Sequence, residues 1–234
     1  MTQVLVTGAT SGIGRAMALS LKAAGYDVLA LGRNAEALAD LAAQGIETLA
    51  LDLANAKAVA ALAARPIDVL VNNAGVMPKP GAFAEMSAFE IDQTLAVNLA
   101  AVLHLTRAVV PGMIARGRGH VIFTGSTAAH APGANFAAYA ASKAGIAAFA
   151  TALRAELSPH GLRVTELVPG RVETALYAAI LPEATRETMY AGGHSLQPQD
   201  LADSLLAVLS LPERATISRL DILPTRPVPA IQLK

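Results

Sequence analysis

Short aliphatic runs alternate along the chain with longer runs whose apolar positions recur at helical spacing or that are dense in alanine. Strands are predicted at 3–7, 27–31, 47–51, 68–71, 120–124, 163–168 and 218–223, and helices at 13–24, 35–43, 55–64, 88–115, 137–158 and 198–210. Strict alternation of strand and helix predicts an α/β fold, doubly wound, with a seven-stranded parallel sheet and helices on both faces. Residues 174–193 break the pattern. Pro182 and Gly192-Gly193 interrupt a helical run there, so a mobile helical flap is predicted. Pro224, Pro227 and Pro229 close the last strand and predict an extended tail. With no linker, repeat or low-complexity block, residues 1–234 read as a single domain.

Composition narrows the class. Hydrophobic residues make up 53% of the chain and charged residues 15%, and much of the excess is alanine in helical stretches. Such helices need burial on more than one side, so self-association is expected. Net charge is zero and no basic or acidic block exists, which argues against nucleic acid and membrane surfaces as partners. No apolar run reads as an uninterrupted membrane span. Cysteine is absent, excluding disulfides and thiolate metal sites, and no metal site is predicted. Met1–Gln3 run straight into Val4-Leu5-Val6, so no signal peptide is expected and the cytoplasm is the expected location.

The chemistry begins after the first strand, at Thr7-Gly8-Ala9-Thr10-Ser11-Gly12-Ile13-Gly14. Glycines there permit a tight turn, and the helix behind offers unpaired N–H groups and a positive dipole end to a pyrophosphate. The spacing is G-x3-G-x-G, not the G-x-G-x-x-G dinucleotide fingerprint. Gly8, Thr10, Ser11, Gly12, Ile13 and Gly14 are the candidate contacts in this Rossmann-type unit. At the end of the second strand, where NAD-preferring proteins carry an acidic residue, stands Gly32, followed by Arg33; Arg15 directly follows the glycine loop. Two guanidinium groups and no carboxylate suit a 2′-phosphate, so the expected cofactor is NADP(H). Asp52-Leu53 are placed to meet the adenine edge. Asn72-Asn73-Ala74-Gly75 let the backbone pass close to the cofactor.

Tyr139 and Lys143 lie at i and i+4 of a predicted helix, hence on one face. An adjacent ammonium stabilises phenolate, which predicts a Tyr139 pKa below its usual value of about 10. That would make the phenol a working acid/base near neutral pH. Ser126, at the end of the fifth strand, is placed to hydrogen-bond a substrate oxygen. Asn98 is a polar residue in mid-helix among Val97, Leu99 and Ala100.

Together these residues resemble the compact, single-domain short-chain dehydrogenase/reductases over essentially the whole chain. Thr7 to Gly14 matches the family's glycine motif, Asn72-Asn73-Ala74-Gly75 its N-N-A-G motif, and Tyr139-Ala140-Ala141-Ser142-Lys143 its Y-x-x-x-K motif. Asn98, Ser126, Tyr139 and Lys143 fall on its catalytic tetrad. Pro169-Gly170-Arg171-Val172-Glu173-Thr174 resembles the P-G-x-V-x-T segment beside the nicotinamide, which adds Pro169, Gly170, Val172 and Thr174 to Asn73, Ala74 and Gly75 as cofactor contacts. The resemblance implies hydride transfer between nicotinamide and a small carbonyl or alcohol substrate, with Tyr139 as proton donor and Ser126 holding the substrate oxygen. Lys143 would bind the ribose and lower the tyrosine pKa. Asn98 would bend its helix and hold a water relaying protons to Lys143. It also implies assembly as a dimer or tetramer.

For the substrate pocket the expected lining is Val76, Met77, Ala128 to His130, Asn135, Phe136, Arg171 and residues 176–194. Arg171 offers a partner to a substrate carboxylate, although an outward or subunit-facing position is the more ordinary one. His130 is expected at the rim. The stretch from Gln197 to Arg226 resembles the NADP-dependent 3-hydroxy acid dehydrogenase branch, implying a small hydroxy acid or aldehyde. A general ketone or aldehyde reductase is the alternative, and a non-catalytic NADP-binding redox sensor a remote one, since such sensors often lose the Tyr or Lys present here.

Overall fold

The computed structural model describes residues 2–226. Strands β1 Gln3–Thr7, β2 Asp27–Gly32, β3 Glu47–Ala50, β4 Val69–Asn72, β5 His120–Thr124, β6 Arg163–Pro169 and β7 Arg219–Ile222 form one sheet. Their order is β3-β2-β1-β4-β5-β6-β7, and every pairing is parallel. The chain winds outward from β1 to β3, then returns to lay β4 against the other edge of β1. That reversal opens a crevice beyond the carboxyl ends of β1 and β4, the place where open α/β sheets bind ligands.

The helices are α1 Gly12–Ala23, α2 Ala35–Ala43, α3 Ala56–Ala60, α4 Ala88–Leu95, α5 Ala101–Arg116, α6 Thr127–His130, α7 Ala137–Leu157, α8 Ala175–Ala178, α9 Glu183–Tyr190 and α10 Pro198–Leu209. Side chains alternate across a strand, so β1 serves two cores. Val4 and Val6 pack with Met17 and Leu21 of α1 and Leu201 and Leu205 of α10. Leu5 faces the opposite layer, with Leu105 and Met113 of α5 and Ile146 and Leu153 of α7. The seven strands and both layers follow the expected pattern.

Two departures bear on function. The helix predicted over 88–115 is broken by a π-turn at Ala96–Ala100, with Asn98 inside it. Asn98 accepts the main-chain N–H of Val76 through Oδ1 at 2.8 Å and donates to the Val76 carbonyl through Nδ2 at 2.8 Å. These bonds draw the residue toward the loop after β4, and the extra π residue provides the reach. The run Ala88–Arg116 is also long and apolar enough to cross a membrane by length and composition, contrary to the sequence reading. Its buried residues pack onto the sheet, as in a core helix. The predicted flap contains α8 and α9, separated near Pro182 and closed by Gly192 and Gly193 at φ of 81° and 62°. The tail expected from Pro227 and Pro229 lies outside the described residues.

Candidate active site

A cleft of about 840 Å³ runs along the carboxyl ends of the strands. Its floor is the loop after β1. Gly8 and Gly12 sit in the left-handed region at φ of 66° and 49°, and a Cβ on Gly14 would overlap the Gly8 carbonyl oxygen. These glycines let α1 begin directly against the loop. Ser11, its N-cap residue, makes no side-chain capping bond. The first N–H groups of a helix have no intrahelical acceptor, so this end can receive an anion.

Thr7 ties this floor to the next strand. Its Oγ1 accepts the N–H groups of Asn73 and Ala74 at 2.9 and 3.0 Å and donates to the Val71 carbonyl at 3.2 Å. Asn73 Nδ2 donates back to the Thr7 carbonyl at 3.0 Å. The Asn72-Asn73-Ala74-Gly75 segment is thereby fixed beside the glycine loop, and Asn73, Ala74 and Gly75 line the cleft.

At the far end, Arg33, Asn34, Asp52 and Leu53 line the cleft. Arg33 is largely exposed, with Nη1 3.9 Å from Asp52 Oδ2. Arg15 does not line the cleft; its guanidinium bonds Asp40 Oδ2 of α2 at 2.5 Å. Gly32 is buried, and a Cβ there would overlap Thr10 Cγ2 and lie 3.1 Å from Thr10 Oγ1. A carboxylate at position 32 therefore requires Thr10 to give way, which the sequence alone did not reveal.

At the reactive end, Tyr139 and Lys143 face the cleft from one side of α7, with Ser126 at the N-cap of α6. Ser126 hydrogen-bonds the Tyr139 phenol, and its Oγ accepts the Ala128 N–H at 3.1 Å. Lys143 Nζ donates to the Thr124 carbonyl at 2.8 Å and lies 5.9 Å from the Tyr139 ring centroid. The expected lowering of the Tyr139 pKa is corrected here. Burial pushes the phenol up to about 12, against the Ser126 hydrogen bond. Burial also pulls the Lys143 ammonium down to about 8, with Glu166 opposing. Removal from water is the largest influence on both groups.

Asn98 is buried behind this face and does not line the cleft. Its Nδ2 also donates to Ser142 Oγ at 3.1 Å, so it links the loop after β4 to α7. Pro169, Gly170, Arg171, Val172 and Thr174 border the reactive end, with Val76, Met77, Phe136, Leu176 and Tyr177 around them. Ala129, His130 and Asn135 do not line the cleft, and of residues 176–194 only Leu176, Tyr177 and Ala179 do. Sequence reasoning missed Thr7, Asn34, Ser142 and the Thr124 carbonyl. Only Asn34 carried a local signal: it N-caps α2, accepting the Ala37 N–H at 3.0 Å, directly after Arg33.

Residues 2–184 match the short chain dehydrogenase family. An uncharacterized short-chain type dehydrogenase/reductase of Sinorhizobium fredii is 43% identical over 224 residues, covering 94% of this chain and 90% of that protein. The NADP-dependent 3-hydroxy acid dehydrogenase of Salmonella typhi is 34% identical over 94% of each chain. Among solved structures, the closed form of serine dehydrogenase complexed with NADP+ superposes with a TM-score of 0.91 at 31% identity, over 100% of this chain and 97% of that one.

Proposed function

The chain belongs to the short-chain dehydrogenase/reductase family, and on that premise we propose an NADP(H)-dependent interconversion of a carbonyl and a secondary alcohol, with Tyr139 as the proton carrier. The observation that carries the reading is the meeting of Tyr139, Lys143 and Ser126 at one end of a cleft whose other end is a glycine-floored helix terminus.

The residues fit a dinucleotide. The uncapped start of α1 suits the pyrophosphate, Leu53 and Asp52 the adenosine, and Arg33 the 2′-phosphate. Bound there, the nicotinamide supplies or takes the hydride. In reduction, the carbonyl π bond breaks as hydride reaches carbon, and the oxygen takes the Tyr139 proton. Ser126 holds that oxygen and opposes its growing negative charge. A phenol near 12 is fully protonated at neutral pH and still far more acidic than the alcohol formed, so it is poised to donate. Lys143, once charged, steadies the phenolate left behind until solvent reprotonates it.

For substrate, we favour a small 3-hydroxy acid or its 3-oxo partner. Arg171 lines the reactive end, beside Tyr177, and donates to the Met189 carbonyl of α9 at 3.5 Å. A guanidinium anchored there offers a carboxylate partner within the cleft. The acid and amino-acid substrates in the names of two relatives agree. Of the segment 174–193, Thr174, Ala175, Leu176, Tyr177 and Ala179 border the cleft. The test compares NADPH-dependent reduction of short 3-oxo acids with that of their methyl esters. A preference for the free acids supports the reading; equal rates support a general ketone or aldehyde reductase lined by Met77, Phe136 and Leu176.

A further inference from the structure

Behind the cleft, β6 carries a carboxylate on a central strand. Glu166 is registered between Phe123 of β5 and Arg219 of β7 and is only 4% exposed. A buried carboxylate costs several kcal/mol unless it is paired, so its retention calls for a reason. Its Oε1 lies 3.3 Å from His130 Nε2, at the C-terminal end of α6. The carboxylate also occupies the space beside Gly125: a Cβ on Gly125 would overlap Oε1 and stand 3.1 Å from Cδ. Gly125 is flanked by Thr124, whose carbonyl accepts from Lys143, and Ser126, which caps α6. The Glu166 side chain thus sits under the strand end that orients both groups.

We propose that Glu166 is a positioning residue for the reaction: packed against Gly125 and bonded to His130, its carboxylate serves as the buried counter-charge to Lys143 and ties α6, and with it Ser126, to the sheet. This rests on the assignment of Lys143 and Ser126 made above. The titratable and charged groups sharing its groove are His130 from α6, Arg154 from α7, and Arg219 and Asp221 from β7. Arg154 is engaged with the Val164 and Ser218 carbonyls and Arg219 with Asp221. Lys143 is therefore the cation turned toward Glu166, and the His130 ring is its hydrogen-bond partner. The attraction of Glu166 opposes the loss of charge that burial imposes on Lys143.

The test titrates Lys143 directly, without cofactor or substrate. The chain has five lysines, so carbon-13 NMR of the lysine Cε groups resolves them, with Lys143→Arg giving the assignment. In the unmodified protein the Lys143 midpoint is expected near 8. Glu166→Gln keeps the shape and removes the charge, and should lower that midpoint by about half a pH unit or more. Coincident midpoints would overturn the proposal. Should Glu166→Gln not fold, His130→Gln at the groove surface should reduce kcat about tenfold with the NADPH Kd unchanged, the size expected for weakening one hydrogen bond that holds a catalytic group in place; an unchanged kcat would overturn the placement of Ser126 through this pair. Since the titration involves no turnover, it stands apart from failure of the substrate or proton-carrier reading, which activity of Tyr139→Phe would reveal.

Discussion

Lys143 Nζ donates to the main-chain carbonyl of Thr124 at 2.8 Å, and Tyr139 presents its ring to that ammonium at 5.9 Å. Both side chains come from one turn of α7, yet the lysine is spent on the end of β5. Burial governs the titration of both groups. With Tyr139 pushed up to about 12, the protonated acid is the resting form over the whole physiological range.

The first prediction follows from that state. Reduction uses the protonated phenol and should be nearly flat from pH 6 up to the loss of the Lys143 proton near 8. Oxidation of the alcohol needs phenolate and should climb with pH over the same interval, close to tenfold per unit where chemistry limits. Steady-state kcat in both directions from pH 6 to 10 checks this. An oxidation rate independent of pH would show that the base is already ionised.

Cofactor choice is the second. Arg33 faces the cleft in the open, whereas Arg15 is bonded to Asp40 outside it. Arg33→Ala should therefore cost about 1.5 kcal/mol, or roughly tenfold in kcat/KM for NADPH, with little change for NADH. The loss should fall on cofactor KM and shrink with added salt. Gly32→Asp alone should damage both cofactors, because its Cβ overlaps Thr10 Cγ2. Gly32→Asp with Thr10→Ala and Arg33→Ala should turn the preference to NADH. Retention of NADPH preference in the triple variant would locate the selecting group elsewhere.

Stability should depend on pH through His120, the third prediction. This buried residue of β5 sits at 2.8 Å from Thr165 Oγ1 through Nε2, and Thr165 donates its own proton to the Ile217 carbonyl at 2.6 Å. His120 Nε2 must then be the donor, as in the neutral ring. Burial pulls its pKa down from 6.5 to about 3. The unfolded chain binds the extra proton below 6.5, so the contribution is complete above that pH and is lost as pH falls toward 3. Between pH 8 and 5 the loss is about 2 kcal/mol. Urea unfolding should show it, and His120→Gln should flatten that part of the profile; an unchanged slope would assign the dependence to other groups.

Assembly is the fourth. On α7, Ala141, Ala144, Ala148, Ala152 and Ala155 are exposed, and α4 leaves Phe89 71% exposed. The sheet covers only one side of these helices, and small residues admit a close helix partner. A homodimer or homotetramer through α5 and α7 is expected in light scattering at micromolar concentration. Ala148→Glu with Ala152→Glu should dissociate it; a monodisperse monomer in the unmodified protein would refute it.

Strand and helix order was legible because each strand of a covered parallel sheet reads as an apolar run between helical periods. The cleft residues were legible where chemistry is local: the glycines after β1, the i, i+4 spacing of Tyr139 and Lys143, the Gly32-Arg33 pair. What escaped depends on residues far apart in the chain. The π-turn exists because Asn98 must reach Val76, 22 residues away. The Arg15 pairing depends on Asp40, the block on Gly32 depends on Thr10, and Glu166 meets Gly125 only across β5 and β6. The direction of the tyrosine shift failed for a related reason: spacing shows who the neighbour is, but not how much water burial removes.

The central claim is that Tyr139 carries the proton. Tyr139→Phe keeps the packed ring and removes only the hydroxyl that Ser126 engages. Stopped-flow reduction of the best substrate, with NADPH affinity measured on the same sample by fluorescence, should show a rate lower by about 10²–10⁴-fold at an unchanged Kd. A variant that binds NADPH normally and turns over at close to the unmodified rate would contradict the account.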